Sequence, residues 1–476
     1  MADIGQAPRH AFTTDAWTSM ATEGYITTTC HYIDPRTMTL QERVLDTKRV
    51  TESHTAENLA AEMKSDAKIW NLKDPVAVTD NAANIMGACD KAEYPHFGCF
   101  AHTLNLAVNR ALEVSEVSKL VGKCRKVVAF FKMSDQKTSQ LKSAEATLEL
   151  EQLKLIQDVV TRWNSALAMC RRILRVFPAI MSVLLDRKAT HLILSGDEIK
   201  NLGELVNLLT PFETATVKVS SSKKPTAGLI LPMIAQFKRR DLLRNEEDSN
   251  MVKKAKMAIR TDLDKRYTDE GQQRLLGLAS FLDPRFKSLN WLSGDGKKQV
   301  MADLKQEALA IASKSASSSE LPPGEESMVL DENPESTATT AEPAANVSAP
   351  APSSDSFFDA DIIGSDQAPV AVDLATKIDM EITRYSQEPS ALEGDHPITW
   401  WRERMAGFKI LPLLVERYLM IPATSVPSER VFSTAGAVVS KKRSCLHWDS
   451  VNMLIFLHEN YPKYCTDSGS GGQGLS

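Results

Sequence analysis

The sequence predicts an α/β protein in which a long all-helical stretch interrupts the sheet-forming part. Three observations predict this class. Residues 1–102 are rich in β-branched and aromatic residues, residues 103–312 change to helical spacing, and helical spacing returns over residues 371–465. With 476 residues, 43% of them apolar, the chain can bury at least two sizeable cores.

The first hundred residues predict strands, then a helix, then one more strand. Three antiparallel strands are expected from runs rich in Thr, Val, Ile and aromatic residues, at Phe12–Trp17, Tyr25–Ile33 and Met38–Val50. Thr55 is predicted to cap a helix over Ala56–Trp70. Pro75–Thr79 is a short apolar run that ends at Asp80, as expected of a buried strand whose carboxyl end faces a site. This is the opening order of a ribonuclease H-like fold.

The rest of the chain divides by composition. Residues 1–102 are predicted to form the first part of the ribonuclease H-like core, and residues 103–312 an α-helical insertion that begins with LNLAVNRALEVSEVSKLVGKCRKVVAFF. Residues 313–370 are rich in Ser, Pro, Ala and Glu and predict a disordered acidic linker. Residues 371–465, where Trp401, Met405 and Phe408 have helical spacing, are expected to complete the core, and residues 466–476 form a disordered tail.

The charge is unevenly distributed along the chain. Although the net charge is −5, residues 313–370 hold eleven acidic residues and one basic residue. Without them the chain has 55 basic and 50 acidic residues, a balance of about +5 that suits basic faces for phosphates. The seven cysteines are odd in number and scattered, which predicts reduced thiols in the cytosol or nucleus. No membrane span or secretory signal is expected from the sequence.

Three segments place an acidic residue at a strand or a helix start. They are HAFTTDAWTS with Asp15, DPVAVTDNAANI with Asp80, and IPATSVPSERVFSTAGAVVSKKRSCL with Glu429. Together they resemble the three acidic segments of cut-and-paste transposases of the hAT superfamily, which implies that the acids form a catalytic DDE triad. Because hard divalent ions take oxygen ligands, Asp15, Asp80 and Glu429 are the candidate ligands for Mg²⁺ or Mn²⁺. The alternative is that Asp15 caps a turn, Asp80 caps the next helix, and Glu429 is an ordinary first-turn acid.

The resemblance covers nearly the whole chain apart from the acidic linker, and vertebrate BED-finger proteins derived from hAT transposases resemble it most. It places Cys99 and His102, in CFAHTLNLAV, near the active centre. With His96 these residues give only three zinc ligands on one short stretch, whereas a structural zinc takes four. We therefore expect a buried thiol and a hydrogen-bonded imidazole, and no structural zinc.

Two further segments are candidates for DNA contact. DVVTRWNSAL resembles the family's R-W motif, which implies that Trp163 stacks on an unpaired base and that Arg162 contacts a phosphate. The alternative for Trp163 is a place in the helical core. The short basic run Lys441, Lys442 and Arg443 is a candidate for backbone contact or nuclear import, against the alternative of a solvated surface cluster.

Residues 398–461 resemble the hAT dimerisation region and carry more apolar side chains than one short helical hairpin can bury. A homodimer or higher homo-oligomer is therefore expected. Relatives of this kind usually begin with a BED zinc finger, but this sequence has no C-x2-C followed by His-x3–5-His. We expect the finger to have been lost or to lie outside this sequence.

The function that these residues predict is that of a domesticated, nuclear, hAT transposase-like protein that dimerises and binds DNA, with a regulatory role. One alternative is an active DDE transposase that performs two-metal DNA cleavage and strand transfer. Another is a dimerising interaction protein that does not bind DNA. DNA and a second copy of the chain are the expected partners, with no membrane and no small-molecule substrate.

Overall fold

A computed structural model describes residues 4–18, 24–49, 53–317, 373–438 and 448–467. A mixed five-stranded sheet is formed by β1 (Ala11–Thr18), β2 (Gly24–Asp34), β3 (Thr39–Arg49), β4 (Val76–Thr79) and β5 (His96–Gly98). The strand order is β3-β2-β1-β4-β5. β1, β2 and β3 pair antiparallel, whereas β4 runs parallel to β1 and to β5. The four predicted strands are confirmed, while β5 is too short for its pattern to be recognised in the sequence.

Two helices cover one face of this sheet. α1 spans Ala56–Ile69, and the prediction that Thr55 caps it is confirmed, since its hydroxyl accepts a hydrogen bond from the Asn58 backbone N–H at 3.3 Å. α2 spans Ala83–Ala92 and is the helix after Asp80 that the alternative interpretation of this acid implied. The two helices bury Leu59, Met63 and Ile85 in one cluster with Phe12 of β1.

The middle of the chain is helical, as predicted. Its α-helices are α3 (Phe100–Leu112), α4 (Ser115–Lys132), α5 (Asp135–Thr147), α6 (Trp163–Asp186), α7 (Gly196–Val219), α8 (Ile230–Gln236), α9 (Asn250–Leu263), α10 (Glu270–Leu282) and α11 (Gly294–Ser317). The first predicted helical segment is two helices, α3 and α4, because the chain turns at Glu113 and Val114. No helix among the described residues is both long enough and apolar enough to cross a membrane.

The C-terminal region adds α12 (Leu374–Gln387), α13 (Pro397–Arg402), α14 (Leu411–Tyr418), α15 (Val426–Val438) and α16 (Trp448–Asp467). The helical spacing of Trp401, Met405 and Phe408 does not correspond to one continuous helix, because α13 ends at Arg402 and Phe408 is extended. The Glu381 carboxylate accepts hydrogen bonds from the backbone N–H groups of residues 409, 410 and 411. These bonds fix the start of α14 and favour two short helices over one.

Candidate functional site

Asp15 and Asp80 lie on neighbouring parallel strands at the same edge of the sheet. In the β1–β4 register, Thr14 pairs with Thr79, so the two acids each follow the last paired residue of their strand. Neighbouring strands are about 4.8 Å apart, and residues opposite each other across a ladder point to the same face. The register therefore brings two carboxylates, 65 positions apart in sequence, to one place.

Glu429 reaches this edge because the first turn of α15 packs on the sheet. The Ser428 hydroxyl lies 2.5 Å from the Thr13 hydroxyl, which lies 2.6 Å from the Thr29 hydroxyl. All three residues are fully buried. Thr13 precedes Asp15 by two positions in β1 and therefore points to the same face. This buried hydroxyl chain places α15, and with it Glu429, over the edge where Asp15 lies.

The three acids influence one another electrostatically. Burial, followed by the charges of Glu429 and then Asp80, raises the pKa of Asp15 to about 7. Partial burial of its carboxylate also raises the pKa of Glu429, and Asp80 adds to this effect. The positive charges of His102 and Arg162 act in the opposite direction on the Glu429 pKa. The structure thus brings Asp15, Asp80, Glu429, His102 and Arg162 into one neighbourhood.

The oxygens of the Asp15 and Asp80 carboxylates have local hydrogen-bond partners. Among the residues that the structure describes, no three His, Cys, Asp or Glu side chains are arranged to hold one ion. One Asp15 oxygen accepts from its neighbour's backbone N–H, that of Ala16, at 2.8 Å, and one Asp80 oxygen accepts from the N–H of Ala82 at 3.1 Å. Carboxylate oxygens are the ligands that Mg²⁺ and Mn²⁺ prefer, so Asp15, Asp80 and Glu429 stay the candidate ligands for such an ion.

The sequence also allowed ordinary helix-start roles for Asp80 and Glu429. Ala82, and not Asp80, is the N-cap residue of α2, although Asp80 accepts the Ala82 N–H. Glu429 does lie in the first turn of α15, where a negative charge complements the helix dipole. The N-cap alternative for Asp80 was therefore wrong, whereas the first-turn position of Glu429 agrees with its alternative as well as with a place in the acidic cluster.

Cys99 connects the end of β4 to the segment before α15. Its backbone N–H donates to the Thr79 carbonyl at 2.7 Å, and its fully buried side chain contacts Ser425, in the segment before α15. Burial raises the pKa of the Cys99 thiol to about 11, so the thiol stays protonated and unreactive at neutral pH. His102, one turn further along α3, is the member of this pair that acts on Glu429.

Trp163 does not have the accessibility that base stacking requires. Its side chain is 2% exposed and belongs to the main hydrophobic core, at the first position of α6. In this conformation the indole is core, which was the alternative to base stacking. Its neighbour Arg162 is exposed and lies near Glu429. Lys441, Lys442 and Arg443 lie outside the described residues.

Sequence reasoning missed a polar network that holds the loop after β4. The Asn81 amide donates to the Thr103 hydroxyl at 3.0 Å, and the buried Tyr267 hydroxyl donates to the Gly98 carbonyl at 2.8 Å. A Cβ atom at Gly98 would lie 1.7 Å from the Asn81 side-chain oxygen, so only glycine fits there. Gly98 at the end of a short apolar run was the available clue, whereas nothing local pointed to Tyr267.

Comparison with known families divides the chain into three matched parts. The ZBED1 RNase-like domain matches residues 13–93, and the ZBED1 RNase-like helical domain matches residues 97–207. The hAT family C-terminal dimerisation region matches residues 381–461. Asp15 and Asp80 fall in the first part, Cys99, His102, Arg162 and Trp163 in the second, and Glu429 in the third.

Several curated proteins are similar to almost the whole chain. Human zinc finger BED domain-containing protein 4 is 25% identical over 472 residues, which are 95% of this chain and 37% of that protein. The putative AC transposase of Zea mays is 25% identical over 480 residues, 94% of this chain and 56% of the transposase. Zinc finger BED domain-containing protein 6 of Mus musculus is 24% identical over 494 residues, which are 96% of this chain and 48% of that protein. The chain thus spans between about a third and just over half of the length of these relatives.

Proposed function

Because this chain is a hAT-derived protein that carries the family's C-terminal dimerisation region, we propose that it works in the nucleus as a homodimer that binds DNA. The role we propose is regulatory, that of a domesticated transposase-like protein. The match of residues 381–461 to the dimerisation region is the single observation that carries the proposal.

An apolar stripe on α16 supports self-association. Met453, Leu454, Leu457 and Tyr461 are between 41% and 64% exposed, and their spacing places them on one side of the helix. Val451 and Ile455, on the opposite side, are buried. An exposed apolar stripe inside a dimerisation region is the expected surface for a second copy.

The topology of the sheet supports a ribonuclease H-like core as the scaffold. Three antiparallel strands lead through a helix to β4, which pairs parallel to β1 in the order β3-β2-β1-β4-β5. We propose that residues 103–312 are the helical insertion into this core and that α15 returns to complete it. The contact of Ser428 with Thr13 supports this return.

DNA binding is proposed on the charge of the chain and on the position of Arg162. The chain outside residues 313–370 has a balance of about +5, and Arg162 is exposed beside the acidic cluster. An arginine at this place would offset the repulsion between the carboxylates and a DNA phosphate. The proposed contact is to the backbone and carries no sequence preference by itself.

Binding of a DNA hairpin, measured at several salt concentrations, tests this proposal. We expect affinity to fall steeply with salt, and Arg162→Gln to reduce the slope of log K against log salt by about 1. Lys298→Gln, which removes an equal charge from an exposed position on α11, is the matched control and should leave the slope unchanged. Absence of salt-dependent binding would instead favour a dimerising interaction protein that does not meet DNA.

DNA cleavage and strand transfer of the DDE type is a second candidate, favoured by the convergence of Asp15, Asp80 and Glu429. Divalent ions at such a site activate the attacking oxygen and stabilise the leaving oxygen. Asp15, Asp80 and Glu429 would hold these ions through their carboxylate oxygens. Titration of Mn²⁺ into wild type and Asp80→Ala distinguishes the candidates: heat that only the wild type produces supports the enzyme, and identical traces exclude it.

A further inference from the structure

A cleft of about 1010 Å³ opens at the other edge of the sheet from the acidic cluster. Residues 8 and 9, at the start of β1, and residues 73 and 74, before β4, form one wall, while α10, α11 and α14 form the others. Asp15 and Asp80 lie at the opposite ends of the same two strands. The cleft is therefore a separate feature of the molecule.

The charge of this cleft is positive. Two acidic side chains, Asp74 and Glu307, face five basic ones, Arg9, Lys73, Arg274, Lys314 and Arg417. These residues come from five separate stretches of the sequence, so no local pattern reveals them. An excess of three positive charges in a concave site favours an anionic ligand.

Arg9 lines this cleft, and one of its guanidinium nitrogens is buried without a hydrogen-bond partner. The residue is only 5% exposed, and its Nε donates to the Asp74 carbonyl at 3.1 Å and lies 3.2 Å from an Asp74 carboxylate oxygen. Its guanidinium carbon lies 5.1 Å from the centre of the Tyr418 ring. Its buried Nη1 has no hydrogen-bond partner. A buried N–H without an acceptor is unfavourable, and an anion bound at Arg9 would supply the missing acceptor.

Arg417 repeats this arrangement beside Arg9. It forms an ion pair with the same Asp74 carboxylate, and its Nη1 donates weakly to the Pro8 carbonyl at 3.4 Å. The buried Nε of Arg417 has no partner. The Asp74 carboxylate thus pairs with both guanidinium groups, and each guanidinium has one buried nitrogen without a hydrogen-bond partner. Paired arginines with free N–H groups match the oxygens of a phosphate, which guanidinium groups bind in a bidentate manner.

The cleft also has an apolar wall and the size for an organic ligand. Leu275 and Leu413 line it together with the charged residues. Pockets for small organic ligands hold about 300–1,000 Å³, so the volume is at the upper end of that range. We propose that this cleft binds an organic phosphate of nucleotide size, with its phosphates at Arg9 and Arg417 and its organic part against Leu275 and Leu413. The proposal is independent of DNA binding by the chain.

Calorimetric titration of the full chain tests the proposal, with ATP and with inorganic tripolyphosphate as probes and EDTA present so that no divalent ion takes part. We expect one ATP per chain, bound more tightly than tripolyphosphate because only ATP contacts the apolar wall. Lys73→Gln and Arg274→Gln should each weaken ATP binding roughly fivefold or more, since each removes one charge from the wall. Lys73 is exposed, so its substitution does not endanger folding.

The matched control is again Lys298→Gln, an exposed substitution outside the cleft that should change the ATP affinity less than twofold. No binding of either phosphate at about 5 mM would overturn the proposal, as would equal weakening by Lys298→Gln and Lys73→Gln. Residues 355–366 of the chain itself are acidic and apolar and are therefore the rival occupant of the cleft. Binding of a peptide with this sequence, together with no binding of ATP, would also overturn the proposal.

Discussion

At the scale of single residues, Asp15 is the clearest case of a side chain whose surroundings oppose its charge. It is partly buried in β1 and faces two further carboxylates, and together these effects raise its pKa to about 7. A carboxylate kept in such a place lowers the stability of the fold, as groups retained for binding or catalysis commonly do. The negative charge of Asp15 therefore lowers the free energy of unfolding.

Replacement of Asp15 by Asn should therefore stabilise the protein in a pH-dependent way. The Asp15 carboxyl has an ordinary pKa of 3.8 and a folded pKa of about 7, so the folded wild type loses stability as pH rises from about 4 to about 7. The advantage of Asp15→Asn should grow over this interval and level off above pH 7, at no more than about 4 kcal/mol. Thermal unfolding of both proteins between pH 5 and pH 8 measures it.

Asp295→Asn is the control for this experiment, because the Asp295 side chain is 95% exposed on α11. Its melting temperature should follow that of the wild type at every pH. If Asp15→Asn also followed the wild type, the three carboxylates would not share a confined site.

At the scale of elements, α16 is attached to the sheet by two asparagines. β3 is an edge strand, and edge strands leave backbone groups unpaired. The Asn460 side chain accepts from the Val44 N–H at 3.1 Å and donates to the Val44 carbonyl at 2.8 Å. Asn452 accepts from the Thr47 N–H at 2.9 Å. The helix thus continues the hydrogen bonding of the sheet while its apolar stripe stays exposed.

Asn460→Ala should destabilise the protein by about 2–4 kcal/mol, because it leaves both backbone groups of Val44 buried and unpaired. The change should appear as a lower midpoint of urea unfolding and as faster amide exchange in β3. His458→Ala, on the same helix at an exposed position, is the control and should change the midpoint little. Equal effects of the two substitutions would mean that the asparagine does not anchor α16.

The sequence predicted the strands around the acidic residues but not the attachment of α16 to the sheet. The strands that carry Asp15 and Asp80 follow from alternation and apolar runs, which act over a few residues. The pairing of Asn460 with Val44 spans 416 positions and depends on where α16 packs. Local patterns contain no information on such a contact, so the edge-strand anchor was not predicted.

At the scale of the whole molecule, the helices before residue 318 are packed against those after residue 372. α12 packs on α11, with the Lys305 ammonium 2.6 Å from an Asp379 carboxylate oxygen. The Trp401 indole donates to the Leu282 carbonyl at 2.8 Å, and the Lys287 ammonium donates to the Tyr385 carbonyl at 2.6 Å. The C-terminal region is therefore packed on the helical region. A long connection costs little when its two ends are fixed near each other.

The exposed stripe of α16 should hold two chains together. We expect the wild type to sediment as a dimer at micromolar concentration, and Leu454→Asp with Leu457→Asp to sediment as a folded monomer, since both side chains are 41–49% exposed. Leu392→Asp, at a position that is 74% exposed outside α16, is the matched control and should remain dimeric. A wild type that stays monomeric at tens of micromolar would contradict this prediction.

The sequence by itself determined the strands β1 to β4, the Thr55 cap, the helical middle, and the positions of Asp15 within a strand, Asp80 after a strand and Glu429 at a helix start. Only the tertiary structure decided that Trp163 is core, that Glu429 meets Asp15 and Asp80, and that basic residues from five separate stretches line one cleft. The reason is physical. Propensity and apolar spacing act between neighbours in the chain, whereas burial and electrostatic interaction depend on which distant segments pack together.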